Sequence, residues 1–555
     1  MAREATVKAQ SAHVPSGPLK PAKATAVDAA KYVALLTALP VKLAPVEDQG
    51  QRAITTTALA AGAELAVESV AASVVRHPFV KHVCFTCRTV LPRNSEGTPT
   101  AHASCDKCGL AFYCSQDCQD KSAALHGLEC EASQKLAEIK QTHSVDLDLL
   151  RLTLRIVAMQ ALQQEAAQSP VLGEFTPAQY INDIPTHRDS FDEQWVQVVS
   201  AAAVDLVSAL PSTLPATVDD VVDLACRINV YAYGFSDIKS RNTNECVGLF
   251  PMLSTFLTHS CDPNCLLVAK DNGCLTVRSL KPIQEGEAVT VSYVDLYQPR
   301  EQRRRDLLMA KHFWCKCPRC NSMLSESVDR FMDGILCRRC KRGVMIFEET
   351  KEVDDINALM KDVSILDDEI KGKRAKCERC PATMSVTELV DILKNAIEDY
   401  AKSMLLVRQR KLPESRQALE AYLRKYEKGR LLHTNNSYLL NTLIPLMNTC
   451  VAQGDLHTAV TCNKAIVERM TESHALPEFA PEVAEFRYHL GDLYMRMVNK
   501  KGTAKTKAGQ TLLVRYQKEA KNAFALAHRA YLVAYGPYHP KTQLAAVRRN
   551  RIQVK

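Results

Sequence analysis

The sequence of 555 residues contains no run of about 18 consecutive apolar residues, the minimum for a helix that crosses a bilayer, so no membrane-spanning segment is expected. It has no basic stretch leading into an apolar core near its start, which argues against a secretory leader and hence against a disulfide framework. It also lacks an excess of either charge. Its 70 Lys and Arg stand against 62 Asp and Glu, a formal net charge of +8 spread over the whole length. A field that weak is unlike the dense basic patch of a dedicated nucleic-acid binder, and direct nucleic-acid binding is not expected. What the chain does have is cysteine, 21 in all, and without oxidising surroundings these favour bound metal or reduced thiols. Apolar residues at 46% and charged residues at 24% are close to globular averages. The length exceeds one ordinary core, so three or four modules are expected.

Residues 1–44, rich in Ala, Lys and Pro at their start, read as a flexible tail. A lead-in over 45–83 includes Gly50 to Leu65, where turn residues bracket short β-like runs as in a hairpin. A cysteine-dense block occupies 84–130. Over 131–230, Leu147, Leu150, Leu154, Val157 and Ala161 recur at spacings of three and four and predict helices, punctuated by Pro170, Pro177, Pro185, Pro211 and Pro215. Over 231–298 the period changes: Leu275, Val277, Val289, Val291 and Tyr293 alternate with polar neighbours and predict strands. Further cysteine clusters lie in 299–322 and 323–384. From 385 to 555 the pattern is helical again, opening on a Ser385, Glu388 capping box. Val451 to Val460 around Gly454, with the later HLGDLY and KEAKNAFALAHRA strings, looks like helical hairpins of tetratricopeptide type. The polar stretch Asn499 to Gln510 reads as a loop between two of them.

In the first block the ligand-type residues fall in pairs: Cys84 with Cys87, Cys105 with Cys108, Cys114 with Cys118, and His126 with Cys130. Zn²⁺ takes four N or S donors at tetrahedral corners, and a gap of two or three residues lets both members of a pair reach one ion. Four pairs therefore imply two ions. Cys315, Cys317 and Cys320 supply three donors and need a distant fourth, for which Cys261 in LTHSCDPNC is the candidate. Cys337 with Cys340 and Cys377 with Cys380 form two widely separated pairs, which leaves open a zinc-ribbon-like segment or a loop carrying free thiols. Cys226, Cys246, Cys265, Cys274, Cys450 and Cys462 stand outside these groups, and most of them read as buried core thiols.

The order of the paired ligands and the Tyr113-Cys114 step resemble the MYND zinc finger. LSTFLTHSCDPNC (Leu253 to Cys265), LKPIQEGEAVTVSYVD (Leu280 to Asp295) and HFWCKCPRC (His312 to Cys320) resemble the core of SET-domain protein lysine methyltransferases. The whole order, over about residues 45 to 555, resembles the SMYD family, which combines SET and MYND domains. The resemblance implies an α+β multidomain fold: a β-rich SET core split by a MYND finger and a helical insert, a post-SET zinc loop, and an all-α, tetratricopeptide-like carboxyl-terminal domain. It implies that Cys84 and Cys87 share an ion with Cys114 and Cys118, and Cys105 and Cys108 with His126 and Cys130. It implies an S-adenosylmethionine-dependent protein-lysine N-methyltransferase acting on histone or non-histone lysines. Tyr293 would be catalytic, and Gly50, Thr258, His259, Tyr293 and Phe313 would contact the cofactor. Implied partners are lysine-bearing protein substrates and proline-rich peptides at the finger. With the thiol chemistry it implies a cytoplasmic or nuclear location.

Three positions depart from the family pattern. Arg52 stands where the second glycine of GxG would let the backbone approach the cofactor. Thr258 replaces an asparagine before His-Ser-Cys, and Tyr233 replaces another, with Asn229 nearby. These motivate a second reading, a catalytically weak or inactive adaptor that binds proline-rich peptides and protein partners. The basic run Arg303, Arg304, Arg305 and Lys311 reads as a solvated helix face rather than a nucleic-acid contact.

Overall fold

The structure, a computed structural model, describes residues 39–46, 50–164, 178–238, 240, 244–347, 373–501 and 506–553. Most of the proposed tail, together with Pro170 and Pro177, lies outside them. The described residues divide into two units. One draws on Met1–Thr258, Cys265–Val291 and Leu307–Trp314, the other on His259–Asn264, Ser292–Asp306 and Cys315–Lys555.

In the first unit, strands Val41–Val46 and Gly50–Thr55 pair antiparallel, with Val41 opposite Thr55 and Val46 opposite Gly50. The first strand thus begins inside the stretch assigned to the tail, because apolar Val41 and Leu43 find ladder partners in Thr55 and Ala53. Strand Cys274–Ser279 is central in a three-stranded sheet between Cys265–Lys270 and Glu64–Ser69, and Leu275 and Val277 are buried as their alternation predicts. The alternation fails further on. Only Thr290–Val291 is strand, and Tyr293 lies beyond it. The Ser292 hydroxyl turns the chain there, donating to the Val294 carbonyl at 2.8 Å and accepting the Val294 N–H at 3.3 Å.

A second sheet places Cys246–Leu249 between Ala72–Val75 and Tyr233–Phe235. At Gly248 in its centre a Cβ would come within 2.5 Å of Val70 Cγ2 and 2.6 Å of the Ala72 carbonyl, so only glycine fits. Helix Leu147–Gln164 packs on this sheet and is buried on nearly every side between Arg151 and Ala158. Its buried guanidinium is matched: Arg155 makes a bidentate bridge to Glu129 with both contacts at 2.7 Å, donates to the Ser73 carbonyl at 2.9 Å, and lies 4.3 Å over the Phe85 ring. That pair fastens helix Gln116–Ser133, which carries three of the finger's ligand-type residues, to the sheet.

The second unit holds a small antiparallel sheet of Met345–Ile346, Arg374–Cys377 and Thr383–Ser385. Seven α-helices follow among its described residues: Val386–Arg408, Leu412–Leu423, Ser437–Ala452, Leu456–Glu472, Pro481–Lys501, Lys507–Ala534 and Pro540–Arg551. Each packs on the next. Ser385 caps the first by accepting the Glu388 N–H at 3.2 Å. The described ends of the stretch Asn499 to Gln510 are helical, up to Lys501 and from Lys507, and the middle of the expected loop, 502–505, lies outside the described residues. Lysines are good helix formers, and Thr506 caps a new helix by accepting the Gly509 N–H at 3.1 Å.

Glu68, on strand Glu64–Ser69, is only 1% exposed. Burial pushes its carboxyl up to about 8, even though the Leu253 and Met252 N–H groups donate to it at 2.8 and 3.0 Å. A raised carboxyl pKa makes its stabilising contribution complete below the unfolded value and lost as pH rises through the folded one. The expected outcome is a melting temperature that falls between about pH 5 and pH 8 in the native chain, with that slope reduced in Glu68→Gln. Thermal melts across this window check it, and an unchanged slope would refute it.

Candidate metal centres and active site

The finger occupies the first unit. Its fully buried core consists only of Cys84, Phe85, Leu91, Ala111, Tyr113 and Cys118. The structure brings Cys84, Cys87, Cys114 and Cys118 together, and separately Cys105, Cys108, His126 and Cys130, with all ligand atoms in each set within 4.8 Å of one another. Cys87 and Cys114 sulfurs are 3.6 Å apart, Cys114 and Cys118 3.5 Å, and Cys105 and Cys130 3.7 Å; Cys108 Sγ lies 3.9 Å from His126 Nε2. A tetrahedron with Zn–S bonds of about 2.3 Å has S···S edges of about 3.8 Å, whereas a disulfide needs about 2 Å. The donor sets fit Zn²⁺. Thiols packed this closely cannot hold their protons evenly: the hydrogen bond between Cys84 and Cys87 pushes the first up and holds the second down.

In the second unit, Cys261 joins Cys315, Cys317 and Cys320, again with all four sulfurs within 4.8 Å. Cys261 and Cys320 sulfurs are 3.5 Å apart, and the Cys261 N–H donates to Cys317 Sγ at 3.4 Å. Arg303 was expected on a solvated face, but its exposure is 0%. Its Nε donates to Cys261 Sγ at 3.2 Å and its Nη2 to Cys320 Sγ at 3.6 Å, while the same guanidinium bridges both Asp329 oxygens at 3.0 and 2.7 Å. Four thiolates around one Zn²⁺ leave a net negative charge, and a buried cation beside them offsets it. Arg304 likewise turns inward, donating to the carbonyls of Cys315 at 3.2 Å and Cys320 at 2.8 Å. Asp329 also receives Arg319 at 2.7 Å and Arg300 at 3.3 Å. Its carboxyl would be raised by burial, but hydrogen bonds and charge from Arg303 and Arg319 outweigh this and hold it below the usual range. Arg319 reaches further, to the carbonyls of Cys261 at 2.9 Å, Ala475 at 2.8 Å and Leu296 at 3.2 Å. The arginine network around Asp329 was not legible in the sequence, since Asp329 has no motif around it.

The same cluster holds the proposed catalytic residue. His259 Nδ1 accepts the backbone N–H of Tyr293 at 3.1 Å, and Nε2 faces Cys261 Sγ at 3.2 Å. With Nδ1 accepting, the proton sits on Nε2 and the ring is neutral. The two rings lie 5.4 Å apart at 38°, and both residues are half-buried. Gly50, Thr258 and Phe313 belong to the first unit. Gly50 opens its strand, and Arg52, two residues on, is exposed opposite Ala44. The Thr258 hydroxyl donates to the Val289 carbonyl at 3.5 Å, a long bond. Phe313 is half-buried. Tyr233 packs edge-on against Phe250, with centroids 6.1 Å apart.

Family models match two parts of the chain: the MYND finger over residues 84–130 and the SET domain over residues 129–294. The chain is 24% identical over 399 residues to the N-lysine methyltransferase SMYD2-B of Danio rerio, covering 72% of this chain and 77% of that protein. It is 25% identical over 402 residues to SMYD2 of Gallus gallus, covering 72% and 77%, and 24% identical over 442 residues to human SMYD2, covering 79% and 83%.

Replacing Asp329 leaves three guanidinium groups without their shared carboxylate. Asp329→Ala is expected to cost about 3–5 kcal/mol in denaturant unfolding and to release metal from the Cys261 cluster at lower chelator concentration. Native-like stability in the variant would contradict the buried-charge account.

Proposed function

Because this chain belongs to the SMYD family, which joins SET and MYND domains, we propose that it is an S-adenosylmethionine-dependent protein-lysine N-methyltransferase. The observation that carries the reading is the pairing of Tyr293 with His259, tied through Cys261 to a four-thiol cluster. When bound, S-adenosylmethionine supplies a methyl group on a sulfonium centre. By the family resemblance, Gly50, Thr258, His259, Tyr293 and Phe313 are the residues that would hold it. A neutral His259 beside a cationic sulfonium costs no charge repulsion, and the half-buried ring of Phe313 is a flat face of the kind that stacks on a nucleoside. The lysine amine, whose free pKa is near 10.4, must arrive unprotonated and in line, so the protein's task is orientation and dryness rather than strong base catalysis. The Tyr293 hydroxyl would orient that amine, with the backbone at Tyr293 anchored by the His259 ring.

Arg52, Thr258 and Tyr233 weaken cofactor binding in this reading without removing the catalytic group. An adaptor without catalysis is the weaker alternative, since the tyrosine and its histidine partner are both present. The finger would dock proline-rich peptides, and a titration of such a peptide that produces no heat would remove that part. Among the described residues no helix is long and apolar enough to cross a membrane. A chain with this many unpaired thiols suits a reducing compartment, the cytoplasm or nucleus.

Tyr293→Phe is expected to lower the methyl-transfer rate by about 100-fold or more, with cofactor affinity held within about tenfold. Undiminished product from this variant would sink the assignment. Thr258→Asn restores an amide hydrogen-bonding pair worth about 0.5–1.5 kcal/mol, so calorimetry should show cofactor binding tightened by about 2- to 12-fold.

A further inference from the structure

The methyl-transfer reading uses three metal centres, two in the finger and one at Cys261. We infer that Cys337, Cys340, Cys377 and Cys380 bind a further Zn²⁺, and that this ion builds the small sheet of the second unit into a cap for the first helix of the carboxyl-terminal array. Although the two pairs are far apart in sequence, their four sulfurs lie within 4.8 Å of one another. Across the pairs, Cys337 to Cys380 and Cys340 to Cys377 each measure 3.7 Å, the edge of a zinc–thiolate tetrahedron and not a disulfide.

Both loops present backbone N–H groups to sulfur, as thiolates need: Gly343 donates to Cys340 Sγ and Arg379 to Cys377 Sγ, each at 3.4 Å. At Gly343 a Cβ would stand 2.6 Å from Cys377 Sγ, so the approach of the two loops requires glycine there. Arg338, Arg339, Arg342 and Arg379 neighbour the ligands in sequence and are exposed, with Arg338 paired to Glu388 and Arg379 to Glu378, a locally basic setting that favours a negatively charged metal–thiolate group.

Hydrophobic burial alone is too small to hold this sheet. Among the described residues its fully buried core is Cys337, Met345, Ala375, Cys377 and Met384, of which two are the thiols themselves. Short strands with so little core need a metal to supply the missing folding energy. What the assembled sheet offers is a surface for the helix Val386–Arg408. Leu389 and Ile392 pack on the ribbon core, Ser385 at the end of the last strand is the helix cap, and Arg338 pairs with Glu388 in its first turn. A stacked helical array leaves an apolar face on its first member, and a terminal cap covers it.

The test uses the purified full chain. Metal analysis is expected to return about four Zn²⁺ per chain, and about three in the Cys337→Ser/Cys340→Ser variant. Should that variant fail to fold, native alkylation followed by mass spectrometry decides on the unaltered protein. All four thiols should resist alkylation until a chelator is added, and hydrogen exchange in residues 386–408 should then rise. Alkylation of these four as fast in the native chain as in urea, or iron in place of zinc, would overturn the inference. Methyl transfer does not enter these readouts, so an inactive chain would still return about four ions if the ribbon holds one.

Discussion

Four donors held at the edge length of a zinc tetrahedron are the constraint on which this chain depends in four places. In the finger and the ribbon the fully buried apolar side chains are too few for a stable core, so the donors take the place that interlocking hydrophobes fill elsewhere in the protein. The contrast with helix Leu147–Gln164 is instructive. There the core is large, and even an arginine can be buried once Glu129 answers two of its guanidinium nitrogens and the Ser73 carbonyl the third.

At the Cys261 cluster the same constraint acquires a chemical consequence. Thiolates concentrate negative charge, the charge is met by buried Arg303, and Arg303 is in turn held by Asp329, which also gathers Arg300 and Arg319. From that network two links run to the loop that carries Tyr293: Arg319 to the Leu296 carbonyl, and Cys261 through His259 to the Tyr293 N–H. The four-thiol cluster thereby helps to set the position of the residue proposed to orient the substrate amine.

Much of the metal chemistry was legible because its signal is local. A thiol pair two or three residues apart can be read without knowing the fold, and the alternation at Leu275 and Val277 or the cap at Ser385 is likewise a short-range pattern. The failures share a cause as well. Val289, Val291 and Tyr293 keep strand periodicity, but the Ser292 hydroxyl offers the backbone a turn and takes it out of the ladder. Arg303 and Arg304 look like part of a solvated face until a carboxylate 26 residues further along the chain meets Arg303 and the carbonyls of Cys315 and Cys320 meet Arg304.

Composition and spacing decided that this would be a thiol-rich chain of several modules with metal pairs in a set order, because ligand geometry within a pair is a matter of two or three peptide units. The motif around Cys261 already marked it as the fourth donor for the Cys315 trio, and only the tertiary structure decided that the distant pairs around Cys340 and Cys377 meet and that Arg303 is buried. Those outcomes depend on chain segments far apart in sequence reaching the same few ångströms. Loop closure, packing and charge compensation settle that together, and no window of sequence contains it.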